Sequence, residues 1–116
     1  MEKIKLIIAD DHKIFLDGIK SLLCEVDKFE ILASASSGEE LLELLSSHTP
    51  DIVITDITMK GMNGIEVTRI ITDLYPNIKV LILSMHSTEE FVLNAAKVGA
   101  DGYLPKDSSI ENWWKL

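Results

Sequence analysis

Five short apolar runs alternate along this chain with stretches of helical period. The runs are residues 3–9, 29–35, 51–55, 79–84 and 102–104, all rich in β-branched or aliphatic side chains. The first, third and fourth are apolar almost without interruption, as strands are when both faces of a parallel sheet are covered. Between them, residues 12–25 place Ile14, Phe15, Ile19, Leu22, Leu23 and Val26 at helical spacing. Residues 39–47 do the same with Leu41, Leu42, Leu44 and Leu45, residues 64–74 with Ile65, Val67, Ile70, Ile71 and Leu74, and residues 89–98 with Phe91, Val92, Ala95, Ala96 and Val98. Strict β-α alternation predicts an α/β fold, a five-stranded parallel sheet with helices on both faces. Right-handed crossovers leave few topologies for it.

Local signals punctuate these elements. Ser37 with Glu40, Asn63 with Glu66, Ser87 with Glu90 and Ser108 with Glu111 have capping-box spacing. Gly99 sits where a helix ends in a left-handed residue. Pro50 and Pro76 fall between a helix and the next strand. A fifth helix starting near Ser108 has about two turns before Leu116, so an incomplete helix is expected, with Trp113 and Trp114 as packing residues. Residues 1–116 are expected to form one domain with no effector domain attached, a length sufficient for a single core.

Charge and composition narrow the function. A net charge of −8 argues against gripping nucleic acid, which requires a basic surface. It suits metal ions or basic partners. No apolar stretch approaches the roughly 20 residues that cross a bilayer, and the N-terminus enters a strand directly, without a signal peptide. The single Cys24 excludes an intrachain disulfide and fits a reducing cytoplasm. Following Leu22 and Leu23, it is expected to be a small packed hydrophobe.

The chemistry-bearing residues follow the strands. Asp10 and Asp11 follow the first, Asp56 the third, Ser84 closes the fourth, and Lys106 follows the fifth. Singly, each has an ordinary structural use: Asp11 could cap the first helix, and Lys106 beside Asp107 could be solvated surface. Together they face the crevice beyond the carboxyl ends of the strands, where open α/β sheets bind ligands. Three converging carboxylates need a cation or shift each other's pKa, and a hard divalent ion with oxygen ligands is the natural solution. A carboxylate is also a nucleophile toward phosphorus, and a lysine and a hydroxyl would orient the phosphoryl oxygens. His86 is expected to be a loop residue, because Mg2+ does not favour imidazole. His12 and His48 carry no spacing that suggests a site.

This constellation resembles the receiver domain of two-component response regulators over essentially the whole chain. The matching segments are Asp10-Asp11, Asp56-Ile57-Thr58-Met59-Lys60-Gly61-Met62-Asn63-Gly64, Leu83-Ser84-Met85-His86 and Gly99-Ala100-Asp101-Gly102-Tyr103-Leu104-Pro105-Lys106-Asp107. The last two are most similar to the LuxR/NarL/FixJ-type subfamily. The resemblance implies a flavodoxin-like (βα)5 receiver fold with strand order 2-1-3-4-5. It implies a phosphorylation-activated switch with Asp56 as phospho-acceptor from a sensor histidine kinase. Mg2+ (or Mn2+) would be held by Asp11, Asp56 and the backbone carbonyl of Thr58, with Asp10 helping through water. Lys106 would pair with the phosphoryl group, Ser84 would hydrogen-bond it, and Tyr103 would turn inward as the switch aromatic. Beyond its own phosphorylation and dephosphorylation such a domain is not an enzyme. It would be cytoplasmic, with no membrane partner, would form a homodimer on phosphorylation, and would reach DNA only through a C-terminal helix-turn-helix domain absent here.

One position departs from the family pattern. Lys60 stands where proline is frequent, which frees φ in the loop and brings a cation near the pocket; it would then weaken Mg2+ binding or tune the phosphoryl lifetime, or else simply point to water. Met85 is expected to shield the phosphoaspartate from water. Competing folds lack their motifs: there is no phosphate loop for FMN after the first strand, no G-x-G-x-x-G there, and Thr58 occupies the second-acid position of a haloacid-dehalogenase phosphatase. A receiver-like interaction domain that does not depend on phosphorylation stays open.

Overall fold

The computed structural model describes residues 3–57, 59, 61–84 and 89–105, with 89–92, 104 and 105 described through the backbone. Its elements follow the alternation: β1 (Ile4–Ala9), α1 (Lys13–Cys24), β2 (Phe29–Ala35), α2 (Gly38–Leu45), β3 (Ile52–Asp56), α3 (Gly64–Leu74), β4 (Lys79–Ser84), α4 (Glu89–Lys97) and β5 (Gly102–Pro105). The five strands are all parallel, in the order β2-β1-β3-β4-β5. The expected fifth helix, with Trp113 and Trp114, lies outside the described residues, as do Thr58, Lys60, Met85, His86, Ser87, Lys106 and Ser108.

Strand alternation divides the core in two. Ile7, Ala9, Val53, Val80 and Ile82 point to one face and pack with Leu41, Leu45, Val67, Ile71 and Ala95 of α2, α3 and α4. Leu6, Ile8, Ile54 and Leu83 point to the other and pack with Leu16, Ile19 and Leu23 of α1. This double coverage is why the strands read as unbroken apolar runs. With α1 on the second face, the described residues leave an apolar groove along Ile4, Leu6, Phe29, Ile52, Ile54 and Leu81.

The predicted caps at Ser37 and Asn63 are present. Ser37 accepts from the Glu40 N–H at 3.1 Å and Asn63 from the Glu66 N–H at 2.9 Å. Both differ from a full capping box in the return bond. Glu40 accepts from the Ser36 N–H at 3.2 Å, and Glu66 accepts from the Asn63 side-chain amide at 2.9 Å. Gly99 takes φ 94°, as a helix-terminating glycine does.

Three expectations need correction. Asp11 does not cap α1: the N-cap is His12, without a side-chain cap bond. Ile14 is 90% exposed and Leu22 is also exposed, while Leu16 is buried. The buried stripe of α1 is therefore Leu16, Ile19 and Leu23, one edge of a broader apolar arc. Cys24, at the last turn, is exposed rather than packed, because its place on the helix faces away from the sheet.

Candidate functional site

Because β1 is flanked by β2 and β3, its carboxyl end lies beside that of β3. Ala9 stands opposite Thr55, so Asp10 and Asp56 leave their strands side by side. Asp10 extends the ladder by one bond, its N–H donating to the Ala35 carbonyl at 3.0 Å. Its carboxylate then turns back to accept from the His12 N–H at 2.8 Å, an Asx-turn that starts α1. The amino end of α1 thus abuts the carboxylates, and the positive end of the helix dipole offsets part of their charge.

Asp10 and Asp56 are 2% and 3% exposed and Asp11 is 21% exposed. The imidazole of His12 reaches all three. Its Nδ1 lies 3.1 Å from Asp10 Oδ1, 3.6 Å from Asp11 Oδ1 and 3.6 Å from Asp56 Oδ2. One ligand atom from each of these four residues falls within 4.8 Å of the others. Oδ1 of Asp11 is buried and has no hydrogen-bond partner among the described residues. Clustered carboxylates with an unsatisfied buried oxygen are a donor set that a divalent cation fits.

The loop after Asp56 is held from two sides. Gly64, the first residue of α3, donates its N–H to the Ile57 carbonyl at 2.8 Å. A Cβ at Gly64 would collide with the Asp56 carbonyl, so only glycine lets the helix start this close to the acceptor strand. On the other side Glu39, in the first turn of α2, accepts from the Met62 N–H at 3.0 Å. Its carboxylate fills the space where a side chain on Gly61 would project, and Gly61 has φ 74°.

Ser84 is 1% exposed. It is one residue beyond Leu83, the register partner of Asp56, so it stands at the same end of the sheet on the neighbouring strand. Ser84 is in turn opposite Pro105, the residue before Lys106. Tyr103 on β5 is half-buried against the α2–α4 side of the core. The structure thus brings together Asp10, Asp11 and Asp56 and aligns Ser84 and Tyr103 on the adjoining strands; Thr58 and Lys106 lie outside the described residues.

Two residues, one in the crevice and one bracing the loop after Asp56, were missed in the sequence. His12 did carry a signal, since an aspartate two residues ahead of a helix start commonly folds back on it. Glu39 carried none, because its partner is 23 residues away. Other acids at strand ends prove structural. Asp51 accepts from the Lys5 N–H and Asp101 from the Val80 N–H, both at the opposite end of the sheet.

The doubly wound sheet with an acidic crevice at its strand carboxyl ends defines the class as a flavodoxin-like α/β domain of receiver type. The family profile described as response regulator receiver domain matches residues 6–115, and the chain belongs to that family. It is 42% identical over 109 residues to the transcriptional regulatory protein DegU of Brevibacillus brevis, covering 94% of this chain and 46% of that protein. It is 34% identical over 114 residues to the nitrate/nitrite response regulator NarL of Escherichia coli, covering 98% of this chain and 53% of that one. Among solved structures, the signal receiver domain of NarL from Mycobacterium tuberculosis superposes with a TM-score of 0.92 at 32% identity, covering 96% and 90% of the two chains. These relatives place the receiver in the LuxR/NarL type. The chain spans about half the length of the curated relatives it matches. Among the described residues, no helix is long and apolar enough to cross a membrane.

Proposed function

We propose that this domain is a phosphorylation-activated switch with Asp56 as the acceptor. The observation that carries the reading is the convergence of three carboxylates at the ends of β1 and β3, with Asp56 fixed on a rigid central strand. An Asp56 carboxylate oxygen attacks phosphorus, the bond from phosphorus to the donor breaks, and an aspartyl phosphate remains. The donor is a phosphohistidine on a sensor histidine kinase, or a small acyl phosphate.

Asp10, Asp11, Asp56 and the Thr58 carbonyl are the residues assigned to Mg2+ or Mn2+. The bound ion would neutralise charge on the phosphoryl oxygens. Ser84 donates its hydroxyl toward the phosphoryl group from the neighbouring strand, and Lys106 pairs with it from the end of β5. Drawing Ser84 inward biases the β4 end, and Tyr103 follows into the space released. The output is a DNA-binding domain of the kind carried by LuxR-family regulators, with homodimerisation on phosphorylation, in the cytoplasm. The domain catalyses only its own phosphorylation and dephosphorylation.

Intact-mass measurement after incubation with acetyl phosphate and Mg2+ tests this. A gain of one phosphoryl group is expected, absent in Asp56→Asn and after chelation. No gain from any small phosphodonor would favour an interaction domain that works without phosphorylation.

A further inference from the structure

The proposed phospho-acceptor chemistry gives no task to the imidazole of His12. The side chain is 58% exposed, and its Nδ1 faces the crevice, 3.1 Å from Asp10 and 3.6 Å from both Asp11 and Asp56. Two constraints aim it there. The backbone of His12 is pinned by the 2.8 Å bond to Asp10, and the residue is the N-cap that sets the direction of α1. Ligand atoms sharing one ion at bond lengths of about 2.1 Å stand about 3.0 Å apart in cis octahedral positions and about 3.4 Å apart in a tetrahedron. Around Nδ1 the 3.1 Å separation is near the octahedral spacing, and the two of 3.6 Å are nearer the tetrahedral one.

We infer that His12 is a metal-binding residue, giving the pocket a mixed nitrogen–oxygen donor set that favours late first-row divalent ions such as Co2+, Ni2+ or Zn2+ over Mg2+. The inference rests on the reading that the three aspartates hold a cation. Mg2+ dehydrates reluctantly, prefers oxygen and gains little from imidazole, whereas the later metals bind it well. His12 therefore sets selectivity between metals and leaves Mg2+ affinity nearly untouched. A receiver with this pocket would answer to the ratio of the two kinds of ion as well as to its phosphodonor.

The test uses the full chain as wild type, His12→Gln and Asp11→Asn. Calorimetric titration with Mg2+, Co2+ and Zn2+ is combined with the 15N shift of the His12 ring nitrogen under Zn2+. The His12 side chain is largely exposed and makes no cap bond to α1, so the glutamine variant is expected to fold, checked by circular dichroism. His12→Gln should lower Co2+ and Zn2+ affinity by about tenfold or more, a loss that even outer-shell partners of metal ligands produce. Its Mg2+ affinity should stay within about twofold. Asp11→Asn should weaken all three, and the Nδ1 resonance of His12 should shift with Zn2+. Unchanged Co2+ and Zn2+ affinity in His12→Gln would overturn the inference and leave Nδ1 as a hydrogen-bond partner of Asp10, with the acidic pocket intact if Mg2+ still binds. An equal loss for all metals would overturn it too, as would Zn2+ shifts confined to His48 or His86. Failure of wild type to bind any ion would sink both readings. His12-dependent Co2+ binding without Mg2+ binding would sink only the Mg2+ assignment.

Discussion

Among the three aspartates, Asp10 has a backbone duty that Asp11 lacks. Asp10 starts α1 through the His12 N–H, whereas Asp11 Oδ1 is buried without a hydrogen-bond partner among the described residues. Its charge adds repulsion in the absence of a cation, a penalty of about 1 kcal/mol at 4 Å even with the screening of bulk water. Asp11→Asn should therefore raise the melting temperature of the metal-free protein by about 4 °C and erase the further rise that Mg2+ gives wild type through binding to the native state. An unchanged or lower melting temperature without metal, or a full Mg2+ effect in the variant, would contradict the account. Gly64 is as constrained as any acid here. Gly64→Ala should cost about 1–3 kcal/mol in urea denaturation, the range for forced overpacking, because the added methyl meets the Asp56 carbonyl. The aspartates were legible in the sequence because chain order alone puts an acid at a strand end. His12 left only the local Asp10 turn as a signal, because its place depends on how that turn aims a ring that has no periodic signature.

Element boundaries were legible where local chemistry sets them. Residues 29–35, 64–74 and 79–84 coincide with β2, α3 and β4, since glycine, proline and cap residues end them. Helix faces were less legible. On α1 six apolar residues, Ile14, Phe15, Leu16, Ile19, Leu22 and Leu23, span an arc wider than one buried stripe, and periodicity cannot say which edge meets the sheet. Packing on Ile8, Ile54 and Leu83 selects Leu16, Ile19 and Leu23. Leu16→Ala should lose about 2–5 kcal/mol on chemical denaturation, whereas Ile14→Gln should stay within about 0.5 kcal/mol. The reverse order would mean that α1 is rotated on the sheet. The same rotation explains why Cys24 faces outward although it follows two leucines.

At the scale of the whole molecule, strand order is what turns separate acids into a site. With β1 between β2 and β3 the chain reverses direction of sheet growth there, and the crevice opens at that point. Alternation predicted the parallel sheet, but only the family resemblance supplied the order 2-1-3-4-5, because apolar runs do not encode their neighbours. We propose that this crevice places a phosphoryl group on Asp56. Borohydride reduction of protein treated with acetyl phosphate and Mg2+ converts an aspartyl phosphate to homoserine, and peptide mass mapping then locates it. Homoserine is expected at position 56 alone and is lost on chelation. Homoserine at Asp10, Asp11 or any other acid, or none at all from a protein that binds Mg2+, would contradict it.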